Sequence, residues 1–218
     1  MVTKLVIIGA SGFGREVLWT IEDCNKQSKK YEILGFIDDD ESLWGKVIDT
    51  YSVLGGLDWF STKSKENIEC VIGISDSKVR RKIVEKLAKQ KIIFSIIIHP
   101  SVIYSKSVSI GQGTIIQAGS ILTIDIQIGD HVHVNIDSTI GHDSTIGDFV
   151  TINPGVNING NTTIGNDTFI GTGTVMNQKL KIGKNSVIGA GTVLLEDVPP
   201  FSMYVGVPGK MKKKLNKN

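Results

Sequence analysis

From Ile98 to Leu194 the chain carries an apolar residue at every sixth position. The series reads Ile98, Tyr104, Ile110, Ile116, Leu122, Ile128, Val134, Ile140, Ile146, Ile152, Ile158, Ile164, Ile170, Met176, Ile182, Ile188, Leu194. Four places after each of these, most hexads have a small or β-branched residue, as at Thr114, Ser120, Val132, Ser138, Val156 and Thr168. A short fixed period is the mark of a solenoid, and a six-residue period predicts a parallel β-helix. A second period of eighteen residues runs through Gly111, Gly129, Gly147, Gly165 and Gly183. Three hexads therefore make one coil, and this glycine column marks one corner of a triangular prism. Gln117, Asn135, Asn153, Gly171 and Gly189 mark the second corner, and Thr123, Gly141, Asn159 and Asn177 the third. Glycine and asparagine tolerate positive φ, so these columns are expected to be the tight turns. At ~4.8 Å per stacked coil the prism is about 25 Å tall, with isoleucines stacked inside it.

Ahead of the prism the pattern changes. Residues 4–9 are continuously apolar after Lys4 and predict a buried parallel strand. Gly9-Ala-Ser-Gly12-Phe-Gly14 follows, then a helical spacing through Val17, Leu18 and Ile21. A second strand, Ile33–Ile37, ends in Asp38-Asp39-Asp40. Further strands are expected at Cys70–Ile74 and Ile92–Ile98, with a helix from about Ser77 to Lys89 between them. Alternating strands and helices predict a small parallel α/β sheet of Rossmann-like type. The expected division is a Rossmann-like domain over 1–98, a β-helix over 99–196 and a C-terminal cap with a basic tail over 197–218. Pro199-Pro200 is expected to stop the repeat, and Lys210, Lys212, Lys213 and Lys214 to form a solvated cap.

Composition narrows the function classes without choosing one. The 218 residues carry a net charge of +2, which implies no nucleic-acid partner. No run approaches the ~18 apolar residues that cross a bilayer, and the N-terminus reads as a strand instead of a signal peptide, so a cytoplasmic protein is expected. Cys24 and Cys70 fall in separate elements and read as reduced buried thiols.

Strand, glycine turn and helix together suggest a nucleotide site, because a helix N-terminus offers unpaired N–H groups to phosphate. The acidic strand end at Asp38 and Asp39 suits a ribose. In the prism, chemistry is sought where the repeat is broken. His142 stands two places after Ile140, where the chain turns and side chains point outward, and Asp143 follows it directly. An imidazole beside a carboxylate has the makings of a general base, and a solvated corner histidine is the alternative. His131 and His133 read as structural residues.

The whole chain resembles a hexapeptide-repeat acyltransferase of the NeuD/PglD type. The resemblance is carried by Ile8-Gly-Ala-Ser-Gly-Phe-Gly14, Gly35-Phe-Ile-Asp-Asp-Asp40, His99-Pro100, Asn135 to Asp143, the unbroken hexads and Gly206-Val-Pro-Gly-Lys210. It implies a left-handed β-helix that forms a homotrimer, with acetyl-CoA as co-substrate in the groove between subunits and no metal. By position it makes His142 the general base and Asp143 the acid that tunes it. It places Gly12, Phe13, Gly14, Asp38, Asp39, Gly56 and Asn135 at the acceptor, and Thr151, Gly160, Thr172 and Ala190 at acetyl-CoA. The implied acceptor is the amino group of a nucleotide-linked 4-amino sugar, with sialic acid O-acetylation as the alternative. Phe13 and Thr151 both stand where amino-sugar enzymes often carry histidine. Other readings are a non-catalytic trimeric nucleotide-binding module, a zinc lyase using His131, His133 and His142 at a spacing that does not match such enzymes, and transfer to serine.

Overall fold

The computed structural model describes residues 2–62 and 68–216. The chain forms two compact units, 1–100 and 101–218. In the first, β1 (Thr3–Ile8), α1 (Gly12–Gln27), β2 (Tyr31–Ile37), a hairpin of β3 (Val47–Ile48) and β4 (Tyr51–Ser52), α2 (Trp59–Thr62), β5 (Ile68–Ile72), α3 (Ser77–Leu87) and β6 (Ile93–Phe94) follow in order. The main sheet is parallel with order β2-β1-β5-β6. β1 is its centre, and Leu5, Val6 and Ile7 are wholly buried. This accounts for its unbroken apolar run, since a central parallel strand is covered on both faces. The register slips between Leu5 and Val6, which pair with Ile33 and Gly35. Gly35 has φ +146°, and a Cβ there would stand 2.4 Å from the Ser52 carbonyl oxygen, so only glycine fits.

α1 turns Val17, Leu18, Ile21 and Cys24 inward. α3 is capped by Asp76, whose carboxylate accepts the Lys78 and Val79 N–H groups. Arg80 of α3 is fully buried, and its Nη1 donates to the Ile74 and Ser75 carbonyls, tying the helix to the end of β5. The expected strand over Ile92–Ile98 is broken into Ile93–Phe94 and Ile97–Ile98. The Ser95 N–H still donates to the Cys70 carbonyl, and its hydroxyl donates to Glu69.

The second unit is a left-handed parallel β-helix, walled by three parallel sheets of two-residue strands. Residues eighteen apart pair in register: Ile116, Val134, Ile152, Ile170 and Ile188 on one wall, and Leu122, Ile140, Ile158, Met176 and Leu194 on another. All ten are buried. Burying each such side chain contributes roughly 1.5–3 kcal/mol. Tyr104, at the first coil, stays exposed. The Ser and Thr column four places on is buried because its hydroxyls close the corners. Thr114, Ser120, Ser138 and Thr168 donate to the carbonyls of Gly129, Asn135, Asn153 and Gly183.

The corners correct one expectation. The left-handed residues are not the glycine column but the positions two later, including Gly113, Asp125, His131, Asp137, Asp143, Asn161 and Gly173. The glycines at 111, 129 and 147 are needed for close approach between coils. A Cβ on Gly129 would lie 2.4 Å from the Asp148 carboxylate, and one on Gly147 2.2 Å from Asn166 Oδ1. Those oxygens accept the N–H groups of Asp130 and Asp148, forming a ladder up the corner. Beyond Pro199-Pro200 the stack continues for one more strand: Ser202–Val205 pairs parallel with Val187 and Ile188. Lys210–Lys214 then returns antiparallel, with every residue exposed.

Candidate functional site

His142 occupies the third corner of the prism, directly after Gly141. Its neighbour Asp143 takes a left-handed φ of +58°, which sends the chain round the corner. Asp143 Oδ2 lies 2.7 Å from His142 Nδ1. Both side chains are open to solvent, 52% and 53% exposed. With Nδ1–H donating to the carboxylate, Nε2 is the acceptor nitrogen, the tautomer a general base requires.

One coil further along, Gly160 lies under the imidazole. A groove of about 510 Å³ opens here, lined by Ile121, Thr139, His142, Asn159, Gly160 and Gln178 among others. Gln178 is one coil beyond Gly160 in the same column and was not singled out from the sequence. Its signal was available, since it is the next polar residue eighteen places on.

The other sequence candidates in the prism scatter. Asn135 is 6% exposed, at the second corner. Its Nδ2 donates to the Ile152 carbonyl, as Asn153 does to that of Ile170, so both serve the corner itself. Thr151 is 1% exposed, below the surface. Thr172 and Ala190 are exposed at the second corner, one coil apart. Within one chain they stand on a different edge from His142 and Gly160. His131 and His133 are buried, and His131 stacks on Phe149 at 5.0 Å while its ring covers Gly113. Among the described residues no group of three or more His, Cys, Asp or Glu side chains is arranged to hold a metal ion.

The first unit has its own cavity, of about 360 Å³, at the C-terminal ends of β1, β2 and β5. Gly9, Asp38, Asp39, Leu57, Lys82 and Lys86 are among its walls. The two lysines come from successive turns of α3, which the sequence reading did not connect with the acidic strand end. Asp38 Oδ2 accepts the Ala10 N–H and its Oδ1 the Asp40 N–H, so it binds the glycine turn to the end of β2. Asp39 Oδ1 accepts the Leu57 N–H, and a Cβ on Gly56 would stand 2.8 Å from it. Gly12, Phe13 and Gly14 form the first turn of α1. A Cβ on Gly14 would fall 1.9 Å from the Gly9 carbonyl oxygen, so this glycine lets the helix close on the turn.

Elsewhere in that unit, His99 Nε2 lies 3.0 Å from Asp23 Oδ2, with its ring beside Trp19. Hydrogen bonds from Lys26 and then His99 hold the Asp23 carboxyl below its usual range. Both cysteines are buried, and burial pushes their thiols up, strongly for Cys70.

Two family descriptions match the chain: the PglD N-terminal domain over residues 4–87 and the bacterial transferase hexapeptide (six repeats) over 161–196. A UDP-N-acetylbacillosamine N-acetyltransferase of Bacillus subtilis is 36% identical over 73 residues, a match that spans 29% of this chain and 34% of that protein. The chain therefore matches about a third of that curated relative's length. The acetyltransferase domain of PglB from Neisseria gonorrhoeae superposes with a TM-score of 0.88 at 30% identity, covering 96% of this chain and 99% of that one. It has also been solved with acetyl coenzyme A. PerB from Caulobacter crescentus, solved with CoA and GDP-perosamine, gives 0.87 at 25% identity over 98% of this chain and 99% of its own.

Proposed function

This chain belongs to the hexapeptide-repeat sugar acetyltransferases of the PglD type, and from that premise we propose that it acetylates the amino group of a nucleotide-linked 4-amino sugar with acetyl-CoA. The observation that carries this reading is the His142–Asp143 pair, 2.7 Å apart on an exposed corner beside a groove. The relatives named for UDP-N-acetylbacillosamine and solved with GDP-perosamine support a nucleotide-linked amino sugar as the acceptor.

In the proposed reaction His142 Nε2 takes a proton from the acceptor amine as the amine nitrogen bonds to the thioester carbonyl carbon, and an oxyanion forms. In this reading a backbone N–H, that of Gly160, stabilises it. The C–S bond then breaks, the nitrogen keeps the acetyl group, and the imidazolium returns its proton to the CoA thiolate. Asp143 holds the Nδ1–H tautomer and balances the transient imidazolium. Neither buried thiol has a part, and no acyl-enzyme forms.

The enzyme works as a homotrimer in the cytoplasm on this reading. Thr172 and Ala190 sit on a different prism edge from His142, which supports a site assembled from two copies of the chain. A second copy, presenting its other edge, completes the site. The cavity at Asp38, Asp39, Lys82 and Lys86 suits the nucleotide end of the acceptor.

The test is CoA release from acetyl-CoA by wild type and His142→Ala, over UDP-, dTDP- and GDP-linked 4-amino sugars and free and CMP-linked sialic acid. Release with one amino sugar, reduced on the order of 10²–10⁴-fold in the variant, is expected for a general base. Release only with a sialic acid would transfer the protein to the O-acetylating branch. Silence together with a failure to bind acetyl-CoA would refute the enzyme reading.

A further inference from the structure

From Lys106 to Glu196, the third position of each hexad holds one glycine, Gly160. The equivalent places carry side chains of every kind, among them Asp130, Ile136, Pro154, Thr172 and Gln178. Gly160 is not among the left-handed residues, so its backbone does not demand glycine. What demands it is His142. A Cβ built on Gly160 would lie 2.6 Å from Nε2, 2.7 Å from Cε1 and 2.9 Å from Cδ2 of that ring, closer than real Cβ contacts come. One side of the imidazole therefore lies against Gly160, while about half of the side chain stays open to solvent. Its other edge is held at Nδ1 by Asp143. An exposed histidine ordinarily changes rotamer in picoseconds to nanoseconds; here Asp143 holds one edge of the ring and Gly160 leaves room for the other.

We propose that Gly160 is a positioning residue whose missing side chain is the seat that fixes the His142 imidazole against Asp143. The inference builds on the reading of His142 as the base. It is separate from any use of the Gly160 N–H, because alanine keeps that N–H and adds only the Cβ. Displacing a reacting group by about 1 Å costs roughly 100-fold in rate.

The experiment compares wild type, Gly160→Ala, His142→Ala and the double variant. The first readout needs no acceptor: the Cε1–H resonance of His142, assigned by its loss in His142→Ala, is followed across pH in the free protein. Gly160→Ala is expected to shift this resonance and displace its titration curve; superimposable curves would overturn the proposal. The second readout is turnover with the amino sugar that wild type accepts. Gly160→Ala is expected to lower kcat roughly 100-fold with little change in the KM for acetyl-CoA. The double variant should match His142→Ala within about twofold, because the seat acts only through the ring. A further loss in the double variant would overturn the inference. So would a Gly160→Ala protein that melts early and is not restored by also removing the ring, since the backbone would then be at fault. If His142→Ala alone keeps wild-type turnover, the base reading fails and the catalytic role of the seat falls with it.

Discussion

His142 and Asp143 are neighbours in sequence, yet their pairing depends on the conformation of one of them. Asp143 has φ +58°, a region that Asp and Asn enter more readily than most residues. That turn brings its carboxylate back to Nδ1. Asp143→Asn keeps an acceptor oxygen and a residue suited to the turn but removes the charge that balances the imidazolium. Steady-state kinetics should show kcat lowered on the order of 10²-fold with melting unchanged, and an unaltered kcat would remove Asp143 from the mechanism. The sequence showed the residue pair, but not that the ring lies over Gly160, because that contact crosses eighteen positions. Asn135 shows the opposite case: a polar residue near the base in sequence faces another corner and bonds to the Ile152 carbonyl.

At the scale of the coil, the repeat was legible because each inward position is filled independently by an apolar residue and the period never slips. The function of the glycine column was less legible, since glycine serves both positive φ and close approach. The structure assigns the left-handed turn to the column two places later. That column was readable too, in Asp125, Asp137, Asn161, Asp167 and Asn185. Gly147→Ala should therefore destabilise by overpacking against Asn166, lowering unfolding free energy by about 1–3 kcal/mol in urea titration. A neutral result would mean that the coils spread at no cost.

For the whole molecule, two further expectations can be measured. The proposed site needs residues from two prism edges, so sedimentation should find a trimer. Mixing inactive His142→Ala with a chain altered at Thr172 and Ala190 should restore part of the activity through mixed trimers; strict inactivity would place the site within one chain. The second expectation concerns pH. Burial raises the Cys24 and Cys70 thiols above their ordinary value of 9.0 in the folded chain only. The unfolded chain therefore loses those protons first, and stability that is complete below pH 9 falls as pH rises beyond it. Denaturation midpoints from pH 8 to 10 should decline, and less steeply for Cys70→Ala, once its own cavity cost is taken as the baseline.

The sequence by itself determined the architecture. Apolar periodicity of six, repeated without interruption, admits one kind of core, and the strand–glycine–helix opening admits one kind of sheet. It also singled out His142 and Asp143, because adjacency needs no fold to establish. What only the tertiary structure decided is what lies beside them. Stacking puts Gly160 and Gln178 along the same corner, buries Thr151, and sends Thr172 and Ala190 to a different edge. The physical reason is that a coil converts sequence distance into two unlike directions. Eighteen residues become one step of ~4.8 Å along the axis, while six carry the chain to another corner.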